Sequence, residues 1–152
     1  MTTSEVTIET RGPAYAAVVH RKAAPPELAG LLGECFGAVF GALAGRGIEP
    51  ISAPFARFLD AGELLDFQAG AMVAGPFASE GEVEGITIPG GEVATAIHTG
   101  PYDDLPAANA AVLAWITAQG RAMSGPPIEE YITDPEGLPP SEWQTRLTFP
   151  LA

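Results

Sequence analysis

The chain has 152 residues, a formal net charge of −12 and only seven Lys and Arg, scattered along its length. Phosphate backbones need clustered basic side chains, so direct nucleic acid binding is not expected; the acidic field favours cationic ligands or basic protein partners. A single cysteine, Cys35, leaves no intramolecular disulfide, and a 47% hydrophobic composition is enough to bury a core.

The chain opens on a polar, strand-like segment, MTTSEVTIETRGP, without the apolar run of a secretory signal. An apolar strand, YAAVVH, follows. Pro25 and Pro26 then suit the first turn of a helix, because the N–H they lack has no partner there in any case. The helix is expected from about Glu27 to Arg46, ended by Gly47 and Pro50. Its apolar stretch, LLGECFGAVFGALAG, is interrupted by Glu34 and four glycines, so it is expected to be too short and too rich in small residues to span a bilayer. Gly33, Gly37, Gly41 and Gly45 recur every fourth residue and form a ridge on one side. Close packing and room for a ligand are the two readings of such a ridge. Cys35, with no basic neighbour, reads as core. The strands FARFLD and LDFQAGAMVA then form a hairpin.

After a Gly- and Glu-rich linker, GPFASEGEVEG, expected to be exposed, the order repeats. VATAIH is a strand, GPYDDLP a turn, and an alanine-rich helix runs from about Leu105 to Arg121. PIEEYITD and EWQTRLTFPL close the chain as strands. GPAYAAVVH aligns with GGEVATAIH, PFARFLD with PIEEYIT, and DFQAGAMV with EWQTRLTF, all in one order. The sequence therefore predicts one α+β domain over residues 1–152. It comprises two tandem strand–helix–strand–strand modules, about 4–76 and about 84–152, with pseudo-twofold symmetry, antiparallel sheet and two long helices. In this alignment His20 and His98 are repeat-mates at strand ends, which predicts structural roles. Two histidines with no third ligand make no metal site, and no phosphate-binding glycine pattern occurs, so neither metal nor cofactor is expected.

The stretch GPPIEEYITDP carries two adjacent glutamates. Strand residues alternate faces, so Glu129 shares one face with Pro127, Tyr131 and Thr133, and Glu130 the other with Ile128 and Ile132. Periodicity alone makes the isoleucine face the core. Glu130 has a charged repeat-mate, Arg57, as an expected structural partner, whereas the repeat-mate of Glu129 is Ala56. A carboxylate beside aromatic surface suits a lipophilic cation, and its burial would raise its pKa, as a general acid or base also requires.

The motifs PFARF, HTGPYDDL, GPPIEEYITDP and WQTRLTFPL resemble, in this order and over nearly the whole chain, the GyrI-like effector-binding family. That family includes gyrase-inhibitor-like proteins and the ligand-binding domains of AraC-type and MerR-type regulators. The resemblance implies a ligand groove between the two modules, hydrophobic and often cationic ligands, and a groove glutamate that corresponds to Glu129. Three departures stand out: there is no helix-turn-helix segment, Phe58 stands where the family often has Tyr, and Glu130 follows the key glutamate where an apolar residue is usual. The function expected is a stand-alone, cytoplasmic small-molecule binder with Glu129 as counter-charge. Tyr102, Tyr131, Trp143, Phe58 and Phe67 are its expected aromatic walls. Some relatives hydrolyse cyclopropane-bearing toxins, which implies an alternative in which Glu129, assisted by Tyr102, is the general acid or base. A second alternative is an acidic interaction module that binds a basic protein partner, or a homodimer.

Overall fold

The computed structural model describes residues 2–152; Met1, the first residue of the expected domain, lies outside them. The chain forms two compact units. One is Gly12–Gly90; the other is Gly91–Ala152 together with the N-terminal segment through Arg11.

In the Gly12–Gly90 unit, strand β3 (Ala14–Ala23) leads through a 3₁₀ turn at Pro25–Glu27 into helix α1 (Leu28–Gly45). Strands β4 (Phe55–Ala61), β5 (Leu65–Val73) and β6 (Glu84–Ile88) follow. The antiparallel order is β6–β3–β5–β4. Period-two alternation sends Ala17, Val19, Phe67, Ala69, Ala71 and Val73 to one face, and α1 covers it with Cys35, Val39 and Leu43 at four-residue spacing. Burial raises the pKa of the Cys35 thiol, which fits its reading as inert core.

In the other unit, β1 (Thr2–Thr3) and β2 (Thr7–Arg11) both pair with β7 (Gly91–Thr99). A 3₁₀ turn at Tyr102–Asp104 leads into α2 (Leu105–Ala118), and β8 (Ile128–Tyr131) and β9 (Gln144–Pro150) complete an antiparallel order of β7–β9–β8. Leu105, Ala108, Val112 and Ile116 are the buried stripe of α2. Both units thus show the predicted strand–helix–strand–strand order, as α+β modules with antiparallel sheet and one long helix each.

Four expectations change. The linker is not simply exposed: Phe77 and Val83 are buried in the α1 core, and its end becomes β6. Apolar side chains in a polar segment find the core once β6 pairs with β3. Second, the histidines are not equivalent. Val19 pairs with Ala69 and His98 with Thr145, while Ala69 and Thr145 are the repeat-mates, so His98 matches Val19. A one-residue slip reverses the face, leaving His20 exposed against Asp66 and His98 buried.

Third, the apolar helical segment is longer than expected. Pro25–Gly45 has 21 residues, and an 18-residue window within it has a mean hydropathy of 1.6, sufficient by length and composition to cross a bilayer. Its packing on β3 and β5 accounts for that apolar stripe as core. Fourth, the glycine ridge does not close-pack on the sheets or the other helix of the described chain. It lies two residues from the Cys35–Val39–Leu43 stripe, about 200° around a helix, and a Cβ at Gly33, Gly37, Gly41 or Gly45 would meet no atom within 4 Å.

Glycine matters in the opposite sense at Gly70. A Cβ there would stand 1.9 Å from the Ala17 carbonyl oxygen. Gly70→Ala is therefore expected to destabilise the protein by about 1–3 kcal/mol or more, whereas Gly37→Ala should stabilise it by about 0.5–1 kcal/mol. Denaturant titration of the two variants checks both signs; equal effects would refute the assignment of the ridge to open space.

Candidate functional site

Strand β8 places Glu129 and Tyr131 on one face, two residues apart, and α2 lies over that face. Glu129 is 9% exposed. Its Oε1 accepts a hydrogen bond from the Tyr131 hydroxyl at 2.8 Å, and its Oε2 accepts one from Asn109 Nδ2, also at 2.8 Å. Asn109 is anchored in turn by donating to the Leu105 carbonyl, 2.9 Å away. Among the described residues, no Lys, Arg or His forms an ion pair with Glu129. Burial pushes the carboxyl pKa up, and the two neutral donors oppose that shift. The Tyr131 phenol is raised well above its usual range by burial and by the adjacent carboxylate.

This arrangement corrects the reading by periodicity. The face that carries Glu129, not Glu130, is the one under α2, and Ile128 is buried as well. Glu130 is half-buried and accepts from Arg146 at 2.9 Å, its directly opposite neighbour on β9. Arg57 donates to Gln68 at 3.0 Å, also across paired strands. The cross-strand register of its own sheet thus supplies Glu130 with an ionic partner, Arg146.

The aromatic residues continue from Tyr131. The Tyr102 ring centroid lies 5.4 Å from that of Tyr131 and 4.6 Å from that of Trp143. Separations of this size are those of interacting rings. Two local features hold them. Gly100, at φ 146°, turns the chain out of β7 in a conformation other residues rarely adopt, and its N–H donates to the Trp143 carbonyl at 2.8 Å. Trp143, at the end of the Pro140–Glu142 3₁₀ turn, donates its indole N–H to the Pro135 and Leu138 carbonyls. Tyr102 and Trp143 both keep partial exposure. Burial, with Asp134 nearby, raises the Tyr102 pKa. The result is a continuous series from Trp143 through Tyr102 and Tyr131 to a carboxyl group.

Four of the predicted site residues are therefore neighbours: Glu129, Tyr131, Tyr102 and Trp143. Phe58 and Phe67 lie in the other unit, with ring centroids 6.4 Å apart. Phe67 has no exposed surface and sits in the α1 core, and Phe58 packs against that core. Packing, not a binding wall, is what Phe67 does, because a side chain enclosed by core atoms offers no face to a guest. Asn109 is the site residue that sequence reasoning missed. It is the chain's only asparagine, in a helix made mostly of alanine and leucine; an amide placed there needs a partner. Among the described residues, no group of three His, Cys, Asp or Glu side chains could hold a metal ion.

The GyrI-like small molecule binding domain matches over residues 4–152. No curated protein matches the chain. Among solved structures, the C-terminal domain of EcmrR is similar with a TM-score of 0.81 at 19% identity, covering 97% of each chain. EcmrR in complex with DNA gives 0.82 at 20% identity; the match covers 97% of this chain but 57% of that one, so the chain spans little more than half of that protein. SAV2435 bound to tetraphenylphosphonium gives 0.71 at 11% identity, covering 97% of this chain and 94% of that one. A hydrolase from Listeria innocua gives 0.66 at 14% identity, covering 97% and 92%. At these identities the likeness to solved structures is one of fold. With the family match over nearly its whole length, the chain belongs to the GyrI-like small molecule binding domain family.

Proposed function

We propose that the protein binds lipophilic cations, with Glu129 as counter-charge and Tyr131, Tyr102 and Trp143 as aromatic contacts. The observation that carries this reading is the Glu129 carboxyl, buried, held by neutral donors and without an ion-pair partner among the described residues. Removing a carboxylate from water is costly unless a positive charge meets it. A bound cation would supply that charge, and aromatic faces add about 0.5–2 kcal/mol each to its binding. The tetraphenylphosphonium bound by SAV2435, a protein of the same fold, is a cation of this class.

The raised carboxyl pKa gives the reading a pH signature. In the empty protein, Glu129 holds its proton to higher pH than in the unfolded chain. The stability this contributes is present below the unfolded pKa and is lost as pH rises through the folded one. Cation binding needs the ionised form, so it strengthens over the same rise and releases a proton.

A second reading rests on the Tyr131–Glu129 hydrogen bond and the raised pKa. In it, Glu129 takes a proton from water as the water oxygen bonds to a carbon of a strained ring. The ring bond breaks with its electron pair left on the substrate, which takes up a proton. Glu129 is the proton carrier in that chemistry, with Tyr102 as its proposed assistant.

Titration calorimetry with tetraphenylphosphonium tests the first reading. Glu129→Gln is expected to weaken binding by about tenfold or more, and to abolish both the pH dependence and the proton release. Equal affinity in wild type and Glu129→Gln across the pH range would refute the counter-charge. For the second reading, incubation with a cyclopropane-bearing alkylating compound should yield a product heavier by one water, with Glu129→Gln slowing turnover more than binding. A compound recovered unchanged by mass analysis refutes hydrolysis.

A further inference from the structure

The pairing register of the β7–β9–β8 sheet aligns four polar side chains in one row. Thr3 of β1 stands opposite His98 of β7, His98 opposite Thr145 of β9, and Thr145 opposite Tyr131 of β8. Directly opposite residues share a face, so this row lies on the face that carries Glu129. The two ends of the row are satisfied. Thr3 Oγ1 lies 3.3 Å from His98 Nδ1, and the Tyr131 hydroxyl donates to Glu129. The middle is not. His98 Nε2 and Thr145 Oγ1 are both sealed from solvent, in residues 3% and 0% exposed, and neither has a hydrogen-bond partner among the described residues.

Each unsatisfied buried polar atom costs about 1–3 kcal/mol. Two of them, on residues directly opposite one another, point to something that meets both. Opposite Cβ atoms on paired strands stand about 4.5–5.5 Å apart, so one small polar group can reach both side chains. The hydroxyl of Thr145 can donate or accept. His98 Nε2 takes the role left to it by the Thr3–Nδ1 contact. A group with donor and acceptor capacity, a hydroxyl or a primary amide, is complementary to this pair. The unpartnered hydroxyl of Thr95 belongs to the opposite face of β7 and has no part in it. Glu129 lies opposite Leu147, one pair along from Thr145 on the same face. That diagonal is about 7–8 Å between strand neighbours, the span of a small ligand.

We propose that His98 and Thr145 form a second polar contact of the Glu129 site, taking a hydroxyl or amide group carried by the bound cation. This rests on the cation-binding reading of Glu129. It adds a selectivity for cations with a hydrogen-bonding arm over bare ones.

Two phosphonium probes separate the claims: tetraphenylphosphonium, which has no hydrogen-bonding group, and (3-hydroxypropyl)triphenylphosphonium. Both are titrated into wild type, Thr145→Val, Thr145→Ser, His98→Leu and Glu129→Gln. Thr145→Val replaces an unpaired hydroxyl by a methyl of the same shape, so its melting temperature should equal or exceed that of wild type. It is expected to weaken the hydroxypropyl probe by about tenfold, while tetraphenylphosphonium stays within about twofold. Thr145→Ser should keep wild-type preference, and His98→Leu should repeat the selective loss. The proposal is overturned if Thr145→Val treats the two probes alike while Glu129→Gln weakens both, the result expected if the pair holds only water. If Glu129→Gln weakens neither probe, the cation reading itself fails and the second contact falls with it.

Discussion

A carboxyl group whose two oxygens are held by a phenol and an amide, with no ion-pair partner among the described residues, is costly to ionise away from water. Glu129 is in that position, and the parts of its unit can be understood from it. Strand β8 turns Glu129 and Tyr131 to the same side. Helix α2 brings Asn109 over that side, and the Asn109 amide is itself steadied by the Leu105 carbonyl one turn earlier. Neutral donors of this kind fix where the carboxyl lies without neutralising it. In the proposed cation-binding reading, the charge balance is left to a proton or a ligand, which would link the pKa of the group to binding.

The aromatic series depends on the same arrangement. Tyr102 and Trp143 are far apart in sequence and belong to two different 3₁₀ turns, one before α2 and one before β9. A backbone hydrogen bond from Gly100 to Trp143 ties those turns together. The rings stand 4.6 Å (Tyr102–Trp143) and 5.4 Å (Tyr102–Tyr131) apart, and they extend a partly exposed aromatic series up to the buried acid. Exposure decreases from Trp143 and Tyr102 to Tyr131 and Glu129. A cation following that path would lose water in steps, with π-faces taking over from the hydration shell before the carboxylate is reached.

Much of this was legible in the chain. The ordered repeat gave the strand–helix–strand–strand modules, because hydrophobic period and turn residues act locally. The alternation of β8 separated Glu129 from Glu130 by face. The missing pieces share one cause, which is that they depend on register. His20 and His98 match in a gapless alignment, but the hydrogen-bond ladder pairs His98 with Thr145 and so places it level with Val19. Phe67 and Trp143 look like counterparts, yet the first is enclosed beneath α1 and the second caps a turn. Arg146 stands opposite Glu130 on β9, a relation that spans 16 residues of sequence and is fixed only once β8 and β9 pair.

The sequence by itself determined the type and order of the elements, the face shared by Glu129 and Tyr131, and the excess of acidic over basic side chains, since these follow from period, turn chemistry and net charge. Only the tertiary structure decided which face of β8 is covered, that Asn109 meets Glu129, that the glycine ridge of α1 faces away from its core, and that His98 Nε2 and Thr145 Oγ1, on directly opposite residues, have no hydrogen-bond partner among the described residues. Each of those outcomes requires a helix to settle at one rotation, or two strands to pair at one register. Both choices are set by burial summed over a whole sheet, a quantity that no local stretch of sequence contains.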